Sequence, residues 1–242
     1  MNMLFNHNLI GKLKRKFKSL ITKLTIKPVF WGNLRSVSPF STIFGYDRGT
    51  QSVARYYIDN FISDSSSDIH GSVLEIGDDT YTTRCGNLVD FSDVLHVQEG
   101  NSKATIVADL TCADKIPDNS YDCIIMPQTI QFIYDFRLAL KHTYRILKPG
   151  GVLLVTLSGI SQISNYDMER WGEYWRFTSL SATKLFEEFF PSENIQVETH
   201  GNLLSAVALL EGLASRELKK RELDFQDSNY EVTITVRAIK SK

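Results

Sequence analysis

The feature that most constrains this chain is the alternation of short apolar runs with longer helical stretches from residue 70 to the end. Runs at 73–77, 93–97, 104–110, 121–126, 152–157 and 195–200 are too short for helices and rich in Val, Ile and Leu. Apolar runs of this length read as strands buried on both faces, as in a parallel sheet. Between them, residues 135–147, 181–190 and 203–218 read as helices, and 50–61 precedes the first strand as another, with Thr50 as its N-cap. The final run, 230–239 (YEVTITVRAI), alternates and predicts a seventh strand. Strands alternating with helices predict a mainly parallel α/β sheet covered on both faces, with ligands bound where the strands end.

A chain of 242 residues, 43% hydrophobic, can build one sizeable core and an appendage, but not two full enzyme domains. The sequence divides into a basic arm, 1–35, and a main domain, 36–242. The arm carries eight Lys or Arg and no acid, so the rest is acidic although the whole chain is −1. Interleaved Leu, Ile and Phe give the arm a partial helical periodicity. It reads either as a basic amphipathic helix on an anionic membrane surface or as a solvated arm. An acidic body argues against nucleic acid as a partner. No apolar run reaches the roughly 18–20 residues of a membrane span. Three cysteines without a CxxC pair suggest neither a disulfide framework nor a zinc site, and isolated histidines offer no metal-ligand spacing. The expectation is a reduced, cytoplasmic protein, peripheral on the inner membrane face if the arm binds there.

The first strand ends VLEIGDDT (73–80), with one glycine, Gly77, where the backbone must bend. Asp78 and Asp79 would repel a dinucleotide pyrophosphate, which disfavours an NAD-dependent oxidoreductase, and would tolerate a cationic ligand. Further on come ADL (108–110), IPDNSYDCII (116–125) and RILKPGGVLLVT (145–156), the KPGG reading as a sharp turn.

In this order and spacing, over residues 70–160, these motifs resemble the methyltransferase-11 type of class I S-adenosylmethionine (SAM)-dependent methyltransferases. The flanks YDRGT (46–50) and YWRFTSLS (174–181) resemble a bacterial subset linked to surface-glycan biosynthesis. The resemblance implies a Rossmann-like seven-stranded, mainly parallel sheet with the last strand antiparallel, and SAM as cofactor. It places Glu75 and Gly77 against the methionine part and Glu99 or Gln98 on the ribose, with Asp78 a further candidate contact to the cofactor. Asp109 falls on the adenine amino group, Leu110 on the ring, and Gln128 at the sulfonium. A helix between the second and third strands is nearly missing, which departs from the family. Arg48 is the candidate for the SAM carboxylate, because an Arg fork suits that group.

The acceptor implied by the flanks is a glycan or glycolipid precursor, O-methylated on a sugar hydroxyl, with a glycosyltransferase as a possible partner. Gln131, Tyr166, Trp171, Trp175 and Arg176 are the candidate substrate contacts, and Asp167 is the candidate base, ahead of His142. Met126 and Phe132 are read as core. The glycine-poor first turn keeps open a non-catalytic scaffold of the same fold.

Overall fold

A computed structural model describes residues 32–49 and 51–242. The chain divides into two units after Ser38. In the first, Gly32–Arg35 form one 3-10 turn. The reading of the basic arm as a membrane helix falls mostly on residues 1–31, outside the described residues, as does Thr50.

The second unit holds a seven-stranded sheet in the order β3-β2-β1-β4-β5-β7-β6. Its strands are β1 (Gly71–Ile76), β2 (Val89–His96), β3 (Ile106–Val107), β4 (Tyr121–Pro127), β5 (Leu147–Ser158), β6 (Ile195–His200) and β7 (Thr233–Ile239). β7 runs antiparallel to both neighbours, and β1 to β5 pair in parallel. The expected Rossmann-like architecture is therefore present.

Period-two alternation sorts the strands' side chains between two apolar layers. Leu74, Ile124, Met126, Leu153 and Val155 pack with α3 (Phe136–Ile146) and α5 (Ser179–Glu187). Val73, Cys123, Ile125, Val152 and Leu154 pack on the other side with Ile58 and Ile62 of α1 (Val53–Asp64). Both faces of the central strands are buried, which is why those runs are continuously apolar.

Several local expectations are corrected. The first helix starts three residues later than expected, because Ser52 caps it by accepting from Arg55 N at 3.1 Å. A short helix, α2 (Thr80–Cys85), which the sequence pattern does not announce, follows the first turn, and another, α4 (Asn165–Arg170), lies in the aromatic stretch after β5. The expected helix at 203–218 stops early. Leu203–Leu210 form α6, and Lys220–Leu223 form a single turn, α7. The third strand shrinks to two residues.

KPGG is not a free turn. It lies inside β5, where Tyr121 faces Leu147 and Cys123 faces Val152, so β5 bulges between them. Gly150 takes a φ of +79° and its N–H donates to Lys240 O at 2.8 Å. The bulge thus exchanges its backbone bonds with the end of β7 rather than with itself.

Candidate active site

The C-terminal ends of β1, β2 and β4 and the loop after β3 open onto one cavity of about 640 Å³. Gly77, Asp109, Leu110 and Gln128 all line it. Gly77 sits at φ +96°, and a Cβ built there would meet nothing within 4 Å. The glycine is demanded by the backbone, and the space beside it is left for a ligand. Its N–H donates to Leu95 O (2.9 Å), and its carbonyl accepts from Asn101 Nδ2 (2.6 Å), which fixes the turn.

Asp109 caps the 3-10 turn Leu110–Cys112 with one oxygen, Oδ1, which accepts from Thr111 N and Oγ1, both at 2.8 Å. Oδ2 has no hydrogen-bond partner among the described residues. Gln128 holds a left-handed conformation, φ +48°. Its N–H donates to Thr156 O and Oγ1 at 3.0 Å each, and its Oε1 accepts from Gln131 Nε2 at 2.8 Å. A non-glycine residue held there costs of order 1–3 kcal/mol, and such strain concentrates at functional sites.

Glu75 does not reach the cavity. It is fully buried and accepts from Tyr81 N (3.0 Å), Thr82 N (2.7 Å) and Thr82 Oγ1 (2.7 Å). Its carboxylate anchors the start of α2 and thereby the Gly77 turn; burial pushes its pKa up against these bonds. Asp78 lines a second cavity and closes a local turn by accepting from Thr80 N. Asp79 pairs with Lys103 at 2.6 Å, and that hydrogen bond holds its carboxyl below the usual range.

The second cavity, about 700 Å³, shares Ile76, Gly77 and Pro127 with the first. Its cations are Arg55 and Arg84. Arg48 is not on it: its guanidinium forks onto Glu217 through Nε and Nη2. Arg55 is oriented instead by donating to the Tyr81 hydroxyl (2.7 Å), which donates to Asp59 (2.8 Å). Arg55 gave no local sequence signal, since it is one turn inside a helix.

Just past the end of β2, Gln98 lines the first cavity and Glu99 does not. His96, the last residue of β2, lines it too, its ring edge-on to Trp171 at 5.4 Å. Phe132 faces the cavity rather than the core, whereas Met126 is fully buried.

Of the residues expected after β5, Trp171 lines the cavity, while Asp167, Tyr166, Trp175 and Arg176 do not. The Asp167 carboxylate accepts from Trp171 Nε1 at 3.1 Å, so it holds the indole. Tyr166 is exposed with Arg170 stacked over its ring, and Arg176 is bound to Glu173 and Gln162 O. Trp175 donates to Ile133 O at 3.1 Å and packs on Tyr134 and Phe136, so it braces the segment after β4. Gln131 is buried behind Gln128. The sequence pattern does not single out Thr129, Tyr134, Asp135 and Arg170, which also line the cavity. Thr129 has an available signal in following closely on a strand end, and Asp135 in standing at the start of a helix. Among the described residues no group of His, Cys, Asp or Glu is placed to hold a metal.

Residues 87–155 match the methyltransferase-domain family. The matched methyltransferase segment spans β2 to most of β5, and so includes Asp109, Gln128 and Asp135. The ubiquinone/menaquinone biosynthesis C-methyltransferase UbiE of Haemophilus ducreyi is 32% identical over 108 residues, 41% of this chain and 36% of that protein. UbiE of an Enterobacter species is 34% identical over 89 residues, 37% of this chain and 30% of its own. The match therefore spans about a third of these relatives' length. A structure of phosphoethanolamine N-methyltransferase 2 from Haemonchus contortus with S-adenosyl-L-methionine superposes at a TM-score of 0.46 with 16% identity, covering 78% of this chain and 56% of that one. No helix among the described residues is long and apolar enough to cross a membrane.

Proposed function

We propose that this protein is a SAM-dependent methyltransferase. The observation that carries the reading is the convergence of Gly77, Asp109, Leu110 and Gln128 on one cavity that adjoins a second holding Arg55. The donor set fits SAM in chemical order. Asp109 Oδ2 can accept from an adenine amino group while Leu110 supplies an apolar face. The open space at Gly77 lets the backbone approach the ligand. Arg55 matches a carboxylate, and Asp78 matches an ammonium. When bound, SAM supplies an electrophilic methyl group on a sulfonium. The chain's part is to hold donor and acceptor in line and exclude water, which can account for most of such a rate enhancement.

The finer reading is O-methylation of a sugar hydroxyl on a surface-glycan or glycolipid precursor. It is supported by the flanking motifs and by the aromatic and polar mouth formed by Tyr134, Tyr174, Thr129 and Trp171. The basic segment 1–35 supports attachment to an anionic membrane surface, which salt-dependent sedimentation with acidic vesicles tests.

Isothermal titration of SAM and S-adenosylhomocysteine into the wild type and Asp109→Ala tests the main reading. The expected result is micromolar binding, lost in the variant. A folded wild type that binds neither nucleoside overturns the reading in favour of a non-catalytic scaffold.

A further inference from the structure

With Asp167 committed to an indole, the acceptor side of the cavity needs another carboxylate, and the structure holds one. We propose that Asp135 is the general base that receives the acceptor's hydroxyl proton, an inference resting on the methyltransferase reading above.

Asp135 lines the same cavity as Gln128 and is exposed. One oxygen, Oδ1, caps α3 by accepting from Leu138 N at 3.2 Å. Oδ2 has no partner among the described residues and is available to a ligand. The other carboxylate on this cavity among the described residues, Asp109, caps the turn that follows β3. In this assignment Asp109 serves the adenine, and Asp135, which shares the lining with Gln128 and follows Tyr134, serves the acceptor.

The segment carrying Asp135 is braced on both sides. Tyr134 packs edge-on to Tyr174 at 5.3 Å, and Phe136 packs edge-on to Trp175 at 5.2 Å and Phe177 at 5.9 Å. The Trp175 indole bonds to Ile133 O, and Tyr174 N bonds to Gln131 O at 2.9 Å. A carboxylate between two pinned aromatic residues, its backbone fixed by a helix cap, is preorganised for proton transfer. The neighbouring cation, Arg137, is occupied by a fork onto Glu188 and does not compete for it.

In the step, the acceptor oxygen forms a bond to the methyl carbon and the carbon–sulfur bond breaks, with the pair remaining on sulfur. The hydroxyl proton passes to Oδ2 of Asp135 and then to water. This step suits a sugar hydroxyl; on a phenolic acceptor the same proton transfer to Oδ2 leaves a phenolate whose ring carbon, in place of the oxygen, bonds to the methyl as the carbon–sulfur bond breaks, and that carbon then loses its own proton to water.

Asp135→Asn separates the two roles of the residue, because Asn caps a helix as well as Asp does but is no base. The test uses the full-length protein, labelled SAM, and two probes, a p-nitrophenyl hexoside and 2-methyl-1,4-naphthohydroquinone. We expect the variant to melt with the wild type and bind S-adenosylhomocysteine within twofold. We expect kcat to fall at least 100-fold on whichever probe the wild type methylates. In the S-adenosylhomocysteine-loaded protein, calorimetric binding of that probe should weaken several-fold in Asp135→Ala. A variant retaining kcat within threefold overturns the assignment, as does a wild type that binds SAM but methylates neither probe. A wild type that binds no SAM sinks the methyltransferase reading itself, and this inference with it.

Discussion

The side-chain amide of Gln131 donates to Oε1 of Gln128 at 2.8 Å, while the Oε1 of Gln131 itself is buried without a partner among the described residues. An orphaned buried acceptor costs about 1–3 kcal/mol, so the geometry is kept at some expense to stability. Gln131→Leu removes both the orphan and the brace. Its melting temperature should stay close to that of the wild type while kcat falls about tenfold, because Gln128 loses one of its two tethers. Steady-state kinetics beside a thermal melt checks this; unchanged kcat refutes a positioning role.

Arg55 and Arg48 make opposite predictions. Arg55→Ala should weaken S-adenosylhomocysteine binding at least tenfold, yet leave 5′-methylthioadenosine, which lacks the carboxylate, within twofold. Arg48→Ala should leave both unchanged, since its guanidinium is spent on Glu217. Paired calorimetric titrations decide it. A loss of methylthioadenosine binding in Arg55→Ala would mean that the variant has disturbed the whole pocket.

Glu75 is a structural acid. Glu75→Ala strands two buried backbone donors at the start of α2 and should cost about 2–4 kcal/mol, read from urea unfolding. Glu75→Gln keeps an acceptor and should cost less. Equal losses in the two variants would count against the capping role.

His200 should give the fold a pH dependence. Burial against α1, where its ring stacks on Tyr57 at 5.7 Å, pushes its pKa below the ordinary 6.5. The unfolded chain then binds the proton more readily than the folded one. This contribution is present above about pH 6.5 and is lost as pH falls below it through the folded pKa. His200→Gln should flatten the decline in stability between pH 7 and pH 5. An unchanged slope would assign it to other groups.

The sequence by itself determined the succession of seven strands along the chain, because burial on both faces writes continuous apolar runs that need no partner to be read. It also placed Gly77, Asp109 and Gln128, since in such a sheet the residues after strand ends converge wherever the strands are parallel. Only the tertiary structure decided the use of each charged side chain. Glu75, Asp167 and Arg48 have the right chemistry for a site, but each is taken by a nearer partner: the amides of α2, the Trp171 indole and Glu217. Arg55 and Asp135 reach the cavities from inside and ahead of helices. Carboxylates and guanidiniums carry no local mark of which neighbour will satisfy them; that is settled by which elements the fold brings within hydrogen-bonding distance.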